Sequence, residues 1–103
     1  MLAVAQRYDA VVSAPGLVAA PDGRVWRVDA GGIGLGTSGS GDVLAGLAGG
    51  ALARGADPEH AAVWGQYLHA AAGDQLTGRL GRQGFLAREL LDEVPTVLRQ
   101  LRP

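Results

Sequence analysis

Apolar positions in this chain come first in short clusters and then in long helical runs. Residues Leu2 to Tyr8 are adequate helix formers and predict the last turns of a helix. Ala10-Val11-Val12 is short and apolar, as a buried strand would be, and Leu17 to Ala20 is a second candidate strand. Pro21-Asp22-Gly23 is a turn signal, and Arg24-Val25-Trp26-Arg27-Val28 alternates with period two, so a hairpin is predicted there. A glycine-rich loop follows.

From about Ser40 to Arg54 the pattern becomes that of a helix rich in Ala, Leu and Gly, closed by Gly55 just past its end. Gly46, Gly49 and Gly50 lower its helix propensity, which points to close packing against another backbone. Asp57-Pro58 supplies an N-cap followed by proline in the first helical position. Glu59 to about Thr77 then forms a longer helix, with Val63, Tyr67, Ala70, Ala71 and Asp74 at helical spacing. Gly78 to Gly84 reads as a polar loop. Phe85 to Leu101 reads as a helix interrupted near Pro95, because the residue before a proline avoids the α region. Two or three short strands cannot cover three apolar helices. The expectation is an α/β chain in which residues 1–103 form the C-terminal portion of a larger fold, with its uncovered faces met by a second copy or another partner.

Composition narrows the possibilities. A length of 103 residues suits one small domain, and 48% hydrophobic against 18% charged residues places the chain among ordered proteins. The net charge of −1 and pI near 6.0 leave no electrostatic footprint for nucleic acid. All nine basic residues are Arg, so any phosphate contact would have to do without lysine. The absence of Cys excludes disulfides, thiolate metal sites and a cysteine nucleophile. Met1 to Arg7 lacks the pattern of a signal peptide, and no apolar stretch approaches the roughly 20 residues that span a bilayer. A cytoplasmic protein with no membrane partner is expected.

The chemistry concentrates in the run from Gly31 to Gly46, which packs glycines into a loop, reaches Asp42 and turns directly into an apolar helix. Glycine lets a ligand approach the backbone, and the first N–H groups of a helix have no partner within it, so such a loop cradles phosphate. An acid at a phosphate cradle would repel the anion. Asp42 makes sense there if it faces a hydroxyl that must lose its proton beside the phosphate, which is the arrangement of phosphoryl transfer. Asp42 alone could also be a first-turn acid favoured by the helix dipole. His69 reads as a core histidine bonded to a neighbour rather than a base, and Asp74 as a residue that ends or packs its helix. Trp26 and Trp64 could stack a nucleotide base but fit a core or interface as well. Arg79, Arg82 and Arg88 read as a solvated or interface set before a phosphate-binding one.

The extended Gly39-Ser40-Gly41-Asp42-Val43-Leu44-Ala45-Gly46 resembles the ribokinase-like superfamily, and within it the ADP/ATP-dependent NAD(P)H-hydrate dehydratases. Tyr67-Leu68-His69-Ala70-Ala71-Ala72-Gly73-Asp74, Gly84-Phe85-Leu86-Ala87-Arg88-Glu89-Leu90 and Val94-Pro95 agree with that resemblance, which covers about Val11 to Leu101. Sugar kinases of the superfamily usually have Ala-Phe after the Asp, so Val43-Leu44 favours the dehydratase branch. The resemblance implies the C-terminal part of a ribokinase-like fold: a short β-hairpin, the Gly-rich loop, then three helices. It implies Asp42 as general base and substrate contact, and the Gly39, Ser40 and Gly41 amides as nucleotide-binding groups. It further implies ADP or ATP with Mg²⁺, the metal without a ligand cluster in this sequence, and a hydrated nicotinamide cofactor as substrate, restored by phosphorylation and elimination. The family's Lys-Gly-Ala…Thr segment is matched here by Val12-Ser13-Ala14-Pro15-Gly16-Leu17, with neither Lys nor Thr. Two alternatives stand beside this: a small-molecule kinase acting on a sugar or vitamin alcohol, and an inactive remnant that serves as a dimerising or docking module.

Overall fold

The structure, a computed structural model, describes residues 1–29, 39–81 and 85–101. Helix α1 (Leu2–Tyr8) leads into strands β1 (Val12–Ala14), β2 (Leu17–Ala19) and β3 (Val25–Arg27). Helices α2 (Ser40–Ala53), α3 (Pro58–Leu80) and α4 (Ala87–Gln100) follow. The strands make one antiparallel sheet in the order β1-β2-β3, with Val12 opposite Ala19, Ala14 opposite Leu17, and Val18 opposite Trp26.

Turn chemistry sets this sheet. Pro15 and Gly16 separate β1 from β2, and Gly16 has φ +77°, the pattern of a turn with proline first and a positive-φ glycine second. That turn shifts β1 two residues beyond the Ala10-Val11-Val12 run. Asp22-Gly23 turns β2 into β3 as expected, with the Arg24 N–H donating to Asp22 Oδ1 at 3.0 Å. The central strand, β2, is buried through Val18 and Ala19.

Helix α3 is the spine of the structure. Its buried positions include Ala61, Ala62, Gly65, Gln66, His69, Ala70, Ala72, Gly73 and Leu76, so it presents mostly small residues to its neighbours. A methyl group added at Gly65 would lie 3.1 Å from the Ala48 backbone, which shows how closely α2 and α3 approach. Between α3 and α4 the core gathers Ala72, Leu76, Phe85 and Leu90, and Val43 of α2 packs against it. The Arg79 guanidinium adds an ion pair to Glu93, itself nearly buried, across α3 and α4.

Two of the helices also differ from the pattern-based expectation. Helix α3 runs on to Leu80, because Gly78 stays helical and the stop falls at Gly81, with φ +87°. Helix α4 is unbroken through Pro95. Proline removes one bond to the carbonyl four residues back, here Leu91, and both residues are exposed, so water can take the place of the missing donor. Among the described residues no helix is long and apolar enough to cross a membrane.

Candidate active site

The start of α2 differs from an ordinary helix start. Gly39 occupies the N-cap with φ +87°, a conformation that side-chain-bearing residues rarely adopt, and no described side chain caps the helix. The first backbone bond runs from the Val43 N–H to the Gly39 carbonyl at 3.2 Å. The N–H groups of Ser40, Gly41 and Asp42 therefore precede the helical ladder and point out of its end. No described atom lies within 4 Å of where a Gly41 Cβ would be, which leaves room among the described residues for an anion to come close to its backbone. Asp42 is exposed in the first turn. The structure thus brings together Gly39, Ser40, Gly41 and Asp42; the glycines from Gly31 to Gly36 lie outside the described residues.

Ser40 faces inward. It is 2% exposed, and its Oγ lies 2.7 Å from His69 Nε2, which also lies 3.1 Å from the Ser40 carbonyl oxygen. Burial pushes the His69 imidazole below its ordinary value of 6.5, while the contact with the Ser40 carbonyl pulls partly the other way. His69 is therefore the bonded core histidine anticipated from the sequence, with its partner now identified. That partner is 29 residues away, at the first residue of α2.

Gln66, one turn before His69 on the same buried face, was missed by the sequence reading. Its Nε2 donates to Ser13 Oγ at 2.7 Å, the Ala14 carbonyl at 2.6 Å and the Leu17 carbonyl at 2.9 Å. Its Oε1 accepts from the Gly16 N–H at 3.1 Å. One amide thus holds the whole turn from Ser13 to Leu17, the segment that lacks the Lys and Thr. The available signal was a pair of polar side chains, Gln66 and His69, on an otherwise Ala- and Gly-rich helical face.

A groove of about 450 Å³ opens beside this face, lined by Val28, Asp29, Val63, Trp64, Tyr67 and Leu101, with Arg27 at its rim. Trp64 and Tyr67 meet edge to face, 5.8 Å between ring centres and 85° between planes. Gly39 to Asp42 are not part of its lining. Trp26 lies elsewhere, with the Arg24 guanidinium 5.0 Å from its ring centre. Of the arginines considered for phosphate, Arg79 is paired with Glu93, Arg88 is exposed on α4, and Arg82 is outside the described residues. Asp74 is exposed on α3. No group of three or more His, Asp or Glu side chains gathers among the described residues, so they build no protein cage for a metal ion.

Comparison with known proteins gives this geometry a family. Residues 2–96 match the family described as NAD(P)H-hydrate dehydratase. The ADP-dependent (S)-NAD(P)H-hydrate dehydratase of Xanthomonas campestris is 54% identical over 97% of this chain and 36% of its own length. The bifunctional NAD(P)H-hydrate repair enzyme Nnr of Moorella thermoacetica is 42% identical over 94% of this chain and 19% of its own. Among solved structures, the ADP/ATP-dependent NAD(P)H-hydrate dehydratase of Bacillus subtilis, co-crystallised with ATP and Mg²⁺, superposes with a TM-score of 0.84 at 30% identity. That match takes in 98% of this chain and 39% of the Bacillus chain. The chain spans between a fifth and two fifths of the length of these relatives. It belongs to the NAD(P)H-hydrate dehydratase family.

Proposed function

We propose that this chain carries the nucleotide-phosphate loop and the general base of an ADP- or ATP-dependent dehydratase that repairs hydrated NADH and NADPH. The observation that carries this is the start of α2: a positive-φ glycine, no cap from any described side chain, three outward N–H groups and an exposed carboxylate in the same turn. In this role the Gly39, Ser40 and Gly41 amides stabilise negative charge on the phosphate in transfer. The Asp42 carboxylate takes the proton of the substrate hydroxyl, for which it must come within about 2.6–3.2 Å. The hydroxyl oxygen then bonds to the terminal phosphorus as the phosphorus–oxygen bond to the remaining nucleotide breaks. Phosphate leaves with the electrons of the carbon–oxygen bond, a neighbouring ring carbon gives up a proton, and the ring's double bond is restored.

The nucleotide's base is assigned to the groove beside Trp64 and Tyr67, which is apolar and aromatic. Magnesium bound with the nucleotide would supply further neutralisation of phosphate charge. Helix α2 is apolar on all sides yet exposes Gly46, Gly49, Gly50 and Leu52, and a helix of that kind is normally buried. A complete substrate pocket therefore calls for further polypeptide on that face, from the same protein or from a partner. A cytoplasmic location belongs to the same proposal, as a compartment of the soluble nicotinamide cofactors.

The test is turnover of NADPH hydrate with ADP or ATP, followed by the absorbance of the reduced ring. Asp42→Asn is expected to lower kcat at least about 100-fold, the usual size of a general-base contribution, while nucleotide affinity stays within a few-fold. Unchanged turnover would remove Asp42 from the role. Turnover of a panel of sugars and vitamin alcohols in place of the hydrate would instead make the chain part of a small-molecule kinase.

A further inference from the structure

The buried pair of His69 and Ser40 is a polar contact that ties the start of α2 to α3 from behind. Both residues are nearly inaccessible, and one ring nitrogen meets two oxygens of the same residue. A carbonyl oxygen offers only lone pairs, so the 3.1 Å approach of Nε2 to the Ser40 carbonyl is favourable only when Nε2 carries hydrogen. An Nε2–H in that position donates to the carbonyl and can share its hydrogen with Oγ. The hydroxyl then accepts at His69, and its own hydrogen is left to point elsewhere. The Ser40 carbonyl also belongs to the peptide that carries the Gly41 N–H, so fixing that oxygen fixes the direction of that donor. A peptide group is planar, and its N–H lies opposite its C=O.

We infer that His69 is a positioning residue for the phosphate loop: through Nε2–H it holds the Ser40–Gly41 peptide so that the Gly41 N–H aims at the bound phosphate. This rests on the phosphate-binding role proposed above for the start of α2 and extends it to a residue that does not touch the ligand. The geometry accounts for the choice of histidine in a helix face otherwise composed mostly of Ala and Gly. A flat, rigid ring reaches across the narrow space between α3 and α2 and ends in one directional donor, where a flexible side chain would have to be ordered first. Gly41 has no side chain of its own to restrain its peptide, and His69 adds a hold from outside α2 to that of the helical ladder.

Three variants of the full chain separate positioning from mere packing. His69→Phe keeps the ring and removes the donor, His69→Gln keeps an amide donor of similar reach, and Ser40→Ala removes the hydroxyl while leaving the carbonyl. Binding of MgADP is measured by calorimetry, the Gly41 amide by ¹H–¹⁵N NMR, and turnover by the hydrate assay. His69→Phe is expected to lose roughly tenfold in MgADP affinity or kcat, the size of one hydrogen bond, and to displace the Gly41 amide resonance in the free protein. His69→Gln is expected to recover most of both, and Ser40→Ala to leave the Gly41 resonance closer to wild type than His69→Phe does. A His69→Phe protein with the wild-type Gly41 resonance and wild-type affinity overturns the inference, as does a His69→Gln protein as impaired as His69→Phe. If His69→Phe does not fold, the ¹⁵N signature of the wild-type imidazole decides the matter: hydrogen on Nδ1 with Nε2 bare contradicts it, hydrogen on Nε2 upholds it. If the wild-type chain binds no MgADP at all, the phosphate-binding proposal is what fails. The Gly41 resonance then still settles whether His69 aims that peptide.

Discussion

Helices α2 and α3 begin in opposite ways. Helix α3 closes its own end: Asp57 Oδ1 accepts from the His60 N–H at 3.2 Å, Pro58 has no N–H to satisfy, and Glu59 adds a first-turn acid. The His60 side chain also pairs with Asp57 and holds that carboxyl below the usual carboxylate range. Helix α4 is closed as well, with Glu89 Oε1 accepting from the Leu86 N–H at 2.8 Å. Helix α2 has a bare glycine at the corresponding position and no described side-chain cap. Its anchoring comes from below instead, through His69 on Ser40 and Val43 on the core. The contrast separates two uses of one piece of backbone chemistry. At α3 and α4 the chain supplies the acceptor itself. Where the start is left open but held firmly, the acceptor is expected to come from a ligand.

The largest effect that could break this contrast comes from exchanging the acids. Asp42→Ala is expected to reduce hydrate turnover by about 100-fold or more with little change in stability. Asp57→Ala is expected to cost about 1 kcal/mol of stability through loss of a cap and to leave turnover unchanged. Turnover assays beside urea titrations check both. If the two changes had the same signature, α2 and α3 would not differ in use.

Next in size are the glycines. Gly65→Ala places a methyl group against Ala48, and overpacking of this kind costs about 1–3 kcal/mol in thermal or chemical unfolding. Gly39→Ala forces a side-chain-bearing residue to φ +87° and is expected to cost about 1–2 kcal/mol. Gly41→Ala sharpens the contrast most, since its Cβ meets no described atom within 4 Å. That protein is expected to unfold like wild type, within about 1 kcal/mol, and to bind MgADP more weakly, because the methyl group stands where phosphate approaches. Equal affinity for MgADP would argue against the open start of α2 as the anion site.

The smallest effect is one of pH. His69 is held below 6.5 in the folded state, so the unfolded chain takes up a proton that the folded chain refuses as pH falls. Stability is fully present above about pH 6.5 and declines below it, until the folded-state histidine also protonates. Asp22 and Asp57, both held below 3.8, give up their contributions only at more acid pH. Melting curves across the weakly acid range are expected to slope downward in wild type and to flatten in His69→Gln.

Much of this layout was legible because it rests on local chemistry. The Asp57-Pro58 start of α3, the glycine after α2 and the Asp22-Gly23 turn each act within a few residues, and their spacing exposed them. Gly39 to Asp42 was legible for the same reason, as a loop running into a helix with one acid in its first turn. The parts that escaped depend on distance or on side. Gln66 holds a turn some 50 residues earlier, and no pattern around Gln66 reveals that turn. The continuation of α4 through Pro95 depends on Pro95 and Leu91 facing solvent. The longer α3 depends on Gly78 staying helical while Gly81 does not, and the two glycines look alike in sequence. His69 was half legible, its buried bond anticipated but not its partner.

Backbone amide shifts of the full chain during titration with MgADP test the central claim most directly. If the open start of α2 holds the nucleotide phosphate, the Ser40, Gly41 and Asp42 amides will move in a saturable way while those of Glu59 and His60 at the start of α3 stay in place. Amides at α2 that do not respond, or equal movement at both helix starts, would contradict the account.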